Sequence, residues 1–124
     1  EGDTCSYIQY SYARASRILE KSDIEPDFNA DFSNLQNPHE IELIKRIAMF
    51  DIHVNDAANN LSPKIIAKYC YSLSTTFSSF YEHVQVNSAE TLELKNSRIC
   101  LIHSYRKTLN SAFSLLGITT PERM

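Results

Sequence analysis

Near the start of the chain, Tyr7, Tyr10, Arg14, Arg17 and Lys21 recur at spacings of three and four. At about 100° per residue such spacings fall on one side of an α-helix. Tyrosine rings stack on unpaired bases, and arginine planes stack or grip phosphate, so this stripe suits single-stranded nucleic acid. The alternative is that Tyr7 and Tyr10 pack beneath a neighbouring loop while the basic side chains stay in solvent. Periodicity leaves both readings open. Arg98 poses a different question, because it lies in line with Ile102, Tyr105 and Leu109 on what should be a core face. A buried arginine must be paired and hydrogen-bonded or it is strongly destabilising. It reads as a structural clasp to a carboxylate or to helix-end carbonyls, rather than as a ligand contact.

Other chemistry finds little support. The acidic residues are scattered over polar positions, with no facing pair for acid–base work. No glycine-rich phosphate loop, nucleophile elbow or Ser/His/Asp grouping is present. No catalytic residue is therefore assigned. His39, His53, His83 and His103 share no ligand spacing with one another or with the cysteines, so no metal is expected. Cys5, Cys70 and Cys100 are widely spaced and odd in number, which points to reduced thiols. Cys70 and Cys100 sit in apolar stretches and read as core residues.

The elements that must carry these residues are helical. The chain has 124 residues, enough for one domain with a real core, and only 2 Gly and 4 Pro punctuate it. In the first segment, residues 6–21, Ile8, Tyr12, Ala15 and Leu19 form an apolar stripe, with Ile18 at its edge, opposite the aromatic-basic one. A connection with Pro26, Asn29, Asp31 and Pro38 as breakers follows. It should be tied down by Phe28, Phe32 and Leu35. A short helix over 39–50 places Ile41, Ile44, Ile47 and Ala48 on one side, and residues 51–61 suggest another. Ser62-Pro63 reads as an N-cap and first helical position. The long helix after it, to residue 86, buries Ile66, Tyr69, Leu73, Phe77, Phe80 and Val84. Tyr71 faces away, and Tyr81 lies at the border. The last helix is expected from Ser88, with Glu90 and Glu93 in its first turns, through Ile102, Tyr105, Leu109, Ala112 and Leu116 to Gly117 as its C′ residue. The expected architecture is an all-α bundle of about five helices, forming a single domain over residues 1–124.

The formal net charge is −3, so any nucleic-acid contact must come from a local patch rather than bulk attraction. No apolar run reaches membrane-spanning length, and no membrane association is expected. The sequence begins with Glu and ends LLGITTPERM. The first suggests a piece of a longer polypeptide. The second has so much local structure for a terminus that its last residues are expected to dock.

Taken in order, YIQYSYAR, NADFSNLQNP, LSPKIIAKYCYSLSTTFSSFYEHVQV, NSRICLIHSYRKTLNSAFSLLGI and the terminal PERM closely resemble the C-terminal anticodon-binding domain of arginyl-tRNA synthetases. The resemblance covers nearly the whole chain. Its most specific elements are Pro-Glu-Arg-Met after Leu-Leu-Gly and the Tyr-hydrophobic-Gln-Tyr-x-x-x-Arg opening. There are departures. Cys5-Ser6 stands where many members have Gly-Pro, Tyr12 replaces a usual His, and the Asp-Ala-Leu-Arg-like motif is Lys95-Asn96-Ser97-Arg98, with only its Arg kept.

The resemblance implies a helical domain that receives the anticodon loop of arginine tRNA, whose bases splay out on binding, and that senses chiefly the middle cytosine. It implies that Tyr7, Tyr10 and Arg14 from the opening helix, Tyr81 from the long helix and Met124 from the terminus form the pocket. Tyr10 and Tyr81 would meet bases, and Arg14 a phosphate or base edge. Arg17 and Lys21 are further phosphate candidates. It also implies a catalytic domain upstream in the same polypeptide, which would use ATP to join arginine to its tRNA. The present residues need no cofactor. A monomer without DNA as a ligand is expected, in the cytoplasm or in mitochondria. Two other readings are a stand-alone adaptor presenting arginine tRNA to another enzyme, and a protein-interaction bundle that has lost RNA binding. Retention of Tyr10, Arg14, Tyr81 and the terminus argues against the last.

Overall fold

Why α4 is the axis of the molecule follows from its sequence. In the computed structural model, which describes residues 2–117, five helices are found: α1 Gly2–Lys21, α2 Pro38–Ala48, α3 Phe50–Asn60, α4 Pro63–His83 and α5 Leu92–Leu116. The stripe Ile66, Tyr69, Leu73, Phe77, Phe80 is wholly buried on α4, with Cys70 and Ser74 beside it. Such a broad apolar face needs several partners, and α4 packs against each of the other four helices. Fully burying one Leu or Phe of this kind stabilises by roughly 1.5–3 kcal/mol. At the centre the rings of Phe77 and Tyr105 of α5 lie stacked, 4.3 Å apart at 6°. The Tyr105 hydroxyl donates to Ser74 Oγ at 3.4 Å, and burial pushes its phenol above the ordinary range. Tyr69 sends its hydroxyl to the Arg46 carbonyl at 2.6 Å, which satisfies a carbonyl at the end of α2.

On α1, Ile8, Tyr12 and Ala15 are buried as the apolar stripe requires, together with Ala13. The helix starts earlier than the pattern suggests, at Gly2 rather than Ser6, so Cys5 and Ser6 lie inside it. Polar residues in a first turn interrupt a hydrophobic pattern without interrupting the helix.

The buried face of α2 differs from the expected one. Ile41 and Ile44 are exposed, and the residues turned inward are Leu43 and Glu40, at 0% and 1% exposure. Glu40 hides this face from a hydrophobicity pattern because its carboxylate is buried only by virtue of a distant partner, Arg98. Glu40 also serves the N-terminus of α2. Its Oε1 accepts from the Asn37 amide at 3.0 Å, while Asn37 Oδ1 accepts from the His39 amide at 2.8 Å and Pro38 stands at the first helical position. Asn37→Ala should cost about 1 kcal/mol of unfolding free energy in urea. An unchanged midpoint would show the cap to be idle.

Two further boundaries move, the end of α4 and the start of α5. Ser62 precedes α4 as expected, but its side chain makes no capping bond. The long helix stops at His83, with Val84 extended. The last one begins at Leu92, where Thr91 Oγ1 accepts from the Leu94 amide at 3.1 Å. Ser88 is not its start, because that hydroxyl is bonded to Gln85 Oε1 instead. Gly117 ends α5 at φ 73°, the left-handed conformation that glycine adopts without strain.

The connection between α1 and α2 is fastened by Lys95 and Asn96. Asn96 makes a reciprocal pair with the Asp27 backbone, accepting at 2.7 Å and donating at 3.0 Å, and Lys95 Nζ meets Asp23 at 2.8 Å. Phe32 and Leu35 are half-buried, whereas Phe28 is 55% exposed and touches only the edge of the bundle, ring against ring with His103 at 5.7 Å.

Cys70 and Cys100 are buried and Cys5 half-buried, all as free thiols. Burial pushes the Cys70 thiol up to about 12 and raises that of Cys100 as well. Since the thiolate is the reactive form, native protein treated with an aromatic disulfide at pH 8 should release one equivalent quickly, from Cys5, and the rest only on unfolding. Fast release of all three would contradict this burial.

Candidate nucleic-acid interface

Tyr10, Arg14, Arg17 and Lys21 occupy one face of α1 because three- and four-residue spacings align them. The end of α4 brings Tyr81 and Glu82 opposite, and the extended segment after it supplies Val84, Gln85, Val86 and Asn87. Together with Ile18 these residues enclose a cleft of about 510 Å³. Its organising contact is the Arg14 guanidinium. Arg14 Cζ lies 4.3 Å from the centre of the Tyr81 ring and 4.8 Å from that of Tyr10, and Nη2 donates to the Tyr10 hydroxyl at 3.0 Å. Arg17 Cζ is farther off, 5.9 Å from the centre of the Tyr10 ring. Exposed cation–π contacts are worth about 0.5–1 kcal/mol each, enough to hold the rings in place without burying them. Both tyrosines remain 42% exposed, so their faces can take a further planar group.

The charge in the cleft runs against that of the chain. Arg14, Arg17 and Lys21 line it with a single carboxylate, Glu82, while the whole sequence carries −3. A flat anion-bearing ligand such as an unpaired nucleotide meets both of its needs here, ring stacking and phosphate neutralisation.

Tyr7 is not brought to this cleft. Its hydroxyl donates to Ser78 Oγ at 2.8 Å and its ring lies tilted on Tyr71, 5.7 Å away. It belongs to the same crease between α1 and α4, but roughly two turns from Arg14. Met124 and the expected docking of the chain's last residues lie outside the described residues.

Arg98 sits behind the cleft wall. Its Nε meets Glu40 Oε2 at 2.6 Å and Nη1 donates to the Gln85 carbonyl at 2.5 Å. The side chain therefore holds a carboxylate and a chain-reversal carbonyl together. Motif position alone shows neither partner.

The wall residues Gln85 and Asn87 escape a reading that extends the long helix to residue 86. A signal was there to be found. Val84, Gln85, Val86 and Asn87 alternate apolar and polar with period two, and in the structure they alternate buried and exposed.

A second cleft, about 490 Å³, lies on the other flank of α1 among Tyr12, Phe28, His103, Arg106 and Lys107. Arg106 there is engaged with Ser16 Oγ at 3.1 Å and with the Tyr12 ring, and Tyr12 is itself buried. Burial and Arg106 hold the His103 imidazole below its ordinary value. That cleft lacks a pair of open aromatic faces. Among the described residues no group of three or more His, Cys, Asp or Glu could hold a metal ion, and no helix is long and apolar enough to cross a membrane.

The fold has known relatives. The family model for the DALR anticodon binding domain matches residues 8–124. An arginine–tRNA ligase of Streptococcus pneumoniae (strain CGSP14) is 39% identical over 124 residues, which is 100% of this chain and 22% of the ligase. That of Flavobacterium psychrophilum is 41% identical over 123 residues, 99% of this chain and 20% of the ligase. Among solved structures, arginyl-tRNA synthetase from Plasmodium falciparum matches with a TM-score of 0.82 and 31% identity, covering 95% of this chain and 21% of that one. The chain thus spans about a fifth of the length of the curated relatives it matches. With most of α1, all of α2 to α5 and the cleft residues Tyr10, Arg14 and Tyr81 inside the matched stretch, the chain belongs to the DALR anticodon binding domain family.

Proposed function

We propose that the chain receives the anticodon loop of arginine tRNA in the cleft between α1 and α4, as the RNA-recognition domain of an arginine–tRNA ligase. The observation that carries this reading is the arrangement of Tyr10 and Tyr81 as two open ring faces bridged by the Arg14 guanidinium. Splayed loop bases stack on the rings, while Arg14, Arg17 and Lys21 meet the backbone that joins them. Met124 closes the same pocket in this reading, and Tyr7 supports its far end through the α1–α4 crease. A catalytic domain of the same polypeptide attaches arginine with ATP, in the cytoplasm and as a monomer. The present residues supply recognition and no chemical step.

The experiment is equilibrium binding to an arginine-tRNA anticodon stem-loop, with a fully paired duplex of the same stem sequence as control. Preference for the open loop is expected, and equal binding to the duplex would overturn the reading. The same titration at several salt concentrations carries a second prediction. Each neutralised phosphate of a single strand contributes about −0.7 to the slope of log K against log salt, so three cations limit it to about −2. A much steeper slope would mean that other basic residues form the contact.

A further inference from the structure

We propose that Gln85 and Asn87 read the Watson–Crick edge of the base seated in the cleft, selecting an edge with an amino donor beside a ring-nitrogen acceptor, as in cytosine and adenine. This inference rests on the anticodon-loop reading above and names the atoms that would give it specificity.

Gln85 Oε1 already accepts from Ser88 Oγ at 2.9 Å, which fixes its carboxamide and leaves Nε2 as a donor. Asn87 is fixed in the opposite sense. Its Nδ2 donates to the Ile18 carbonyl of α1 at 3.4 Å, leaving Oδ1 as an acceptor. The two side chains stand two residues apart on one exposed side of their segment, so the cleft wall offers one donor and one acceptor of set polarity. Cytosine and adenine match that pair, with an amino group for Asn87 and a ring nitrogen for Gln85. Uracil and guanine present the reverse order.

The other cleft residues do not supply such a choice. Arg14, Arg17 and Lys21 only donate, and tyrosine hydroxyls rotate to suit. Glu82 only accepts, and no other described residue fixes its position. The reading arm is also held rigidly. Val84 and Val86 are each 7% exposed, pinned in the core on either side of Gln85, and the Gln85 carbonyl is clasped by Arg98 Nη1. A base edge meeting these groups therefore meets fixed partners, and a mismatched edge leaves them unpaired.

The test uses four anticodon stem-loops that differ only at the middle nucleotide, bound by the chain and by Gln85→Glu. This substitution keeps the size and the acceptor for Ser88 but replaces the free donor with an acceptor. The unaltered chain should favour the cytosine loop over the uracil loop, and Gln85→Glu should weaken cytosine-loop binding about tenfold, the loss of one good hydrogen bond. Uracil-loop binding should hold or improve, with the thermal midpoint unchanged. Glu93→Gln, at an exposed position of α5 that does not line the cleft, serves as control and should leave the preference intact. A cytosine-to-uracil preference that survives Gln85→Glu, or that collapses equally in Glu93→Gln, would overturn this inference while leaving the anticodon-loop reading in place. Equal binding of all four loops by the unaltered chain would overturn it too. Binding of no loop at all would overturn the proposed function, and this inference with it.

Discussion

Arg98→Ala should destabilise the chain by about 3–5 kcal/mol, the cost of leaving a buried charge without its partner. Glu40 is 1% exposed, and its strongest contact is Arg98 Nε at 2.6 Å. With the guanidinium gone, only the Asn37 amide, among the described residues, still bonds that carboxylate. The Gln85 carbonyl loses a donor at the same time. For a domain of this size the loss corresponds to a drop of roughly 10–20 °C in thermal midpoint. Two controls separate charge from packing. Pairing Arg98→Ala with Glu40→Gln removes the stranded charge and should recover part of the loss. Arg98→Lys should fall between, because a single ammonium cannot span the two acceptors as a guanidinium fork does. A loss below about 1 kcal/mol for Arg98→Ala would place this pair with surface ion pairs.

The second large effect concerns RNA. Tyr81→Ala should weaken stem-loop binding by about 1–3 kcal/mol, the usual cost of removing one stacking ring. Tyr10→Ala should act similarly. In both cases the fold should be little affected, since each ring is 42% exposed. Because Arg14 rests on both rings, either truncation also frees its guanidinium, so the double variant should lose less than the sum. Tyr81→Phe keeps the face and should retain most of the affinity. Fluorescence anisotropy with a labelled stem-loop measures all four. Full binding by Tyr81→Ala would remove the ring from the interface.

How much of this was legible in the sequence depends on whether local pattern or distant pairing fixed each feature. The α4 stripe from Ile66 to Phe80 could be read because every residue on it is apolar and the helical period is unbroken. The same holds for Ile102, Tyr105, Leu109 and Ala112 on α5. The inward face of α2 could not, because Glu40 interrupts it and is tolerated only through an arginine 58 positions away. The need of Arg98 for a partner was legible from its place among core residues; the partner's identity required the fold. Tyr10, Arg14, Arg17 and Lys21 share a face by spacing alone, but their meeting with Tyr81 depends on how α1 packs on α4. Tyr7 obeys the same spacing and still turns to Ser78, since it sits on the side of that face nearer α4. The wall of the cleft was hidden by continuity of hydrophobic character from Phe80 into Val84 and Val86, which look like one more turn of helix.

The most direct test of the cleft as an anticodon reader is one titration, of the chain with an arginine-tRNA anticodon stem-loop and with the same loop altered only at its middle cytosine, at one stated low salt. Tighter binding of the native loop, lost in Tyr10→Ala and Tyr81→Ala, is the predicted result. Equal affinity for both loops, or a preference that survives the loss of both tyrosines, would contradict it.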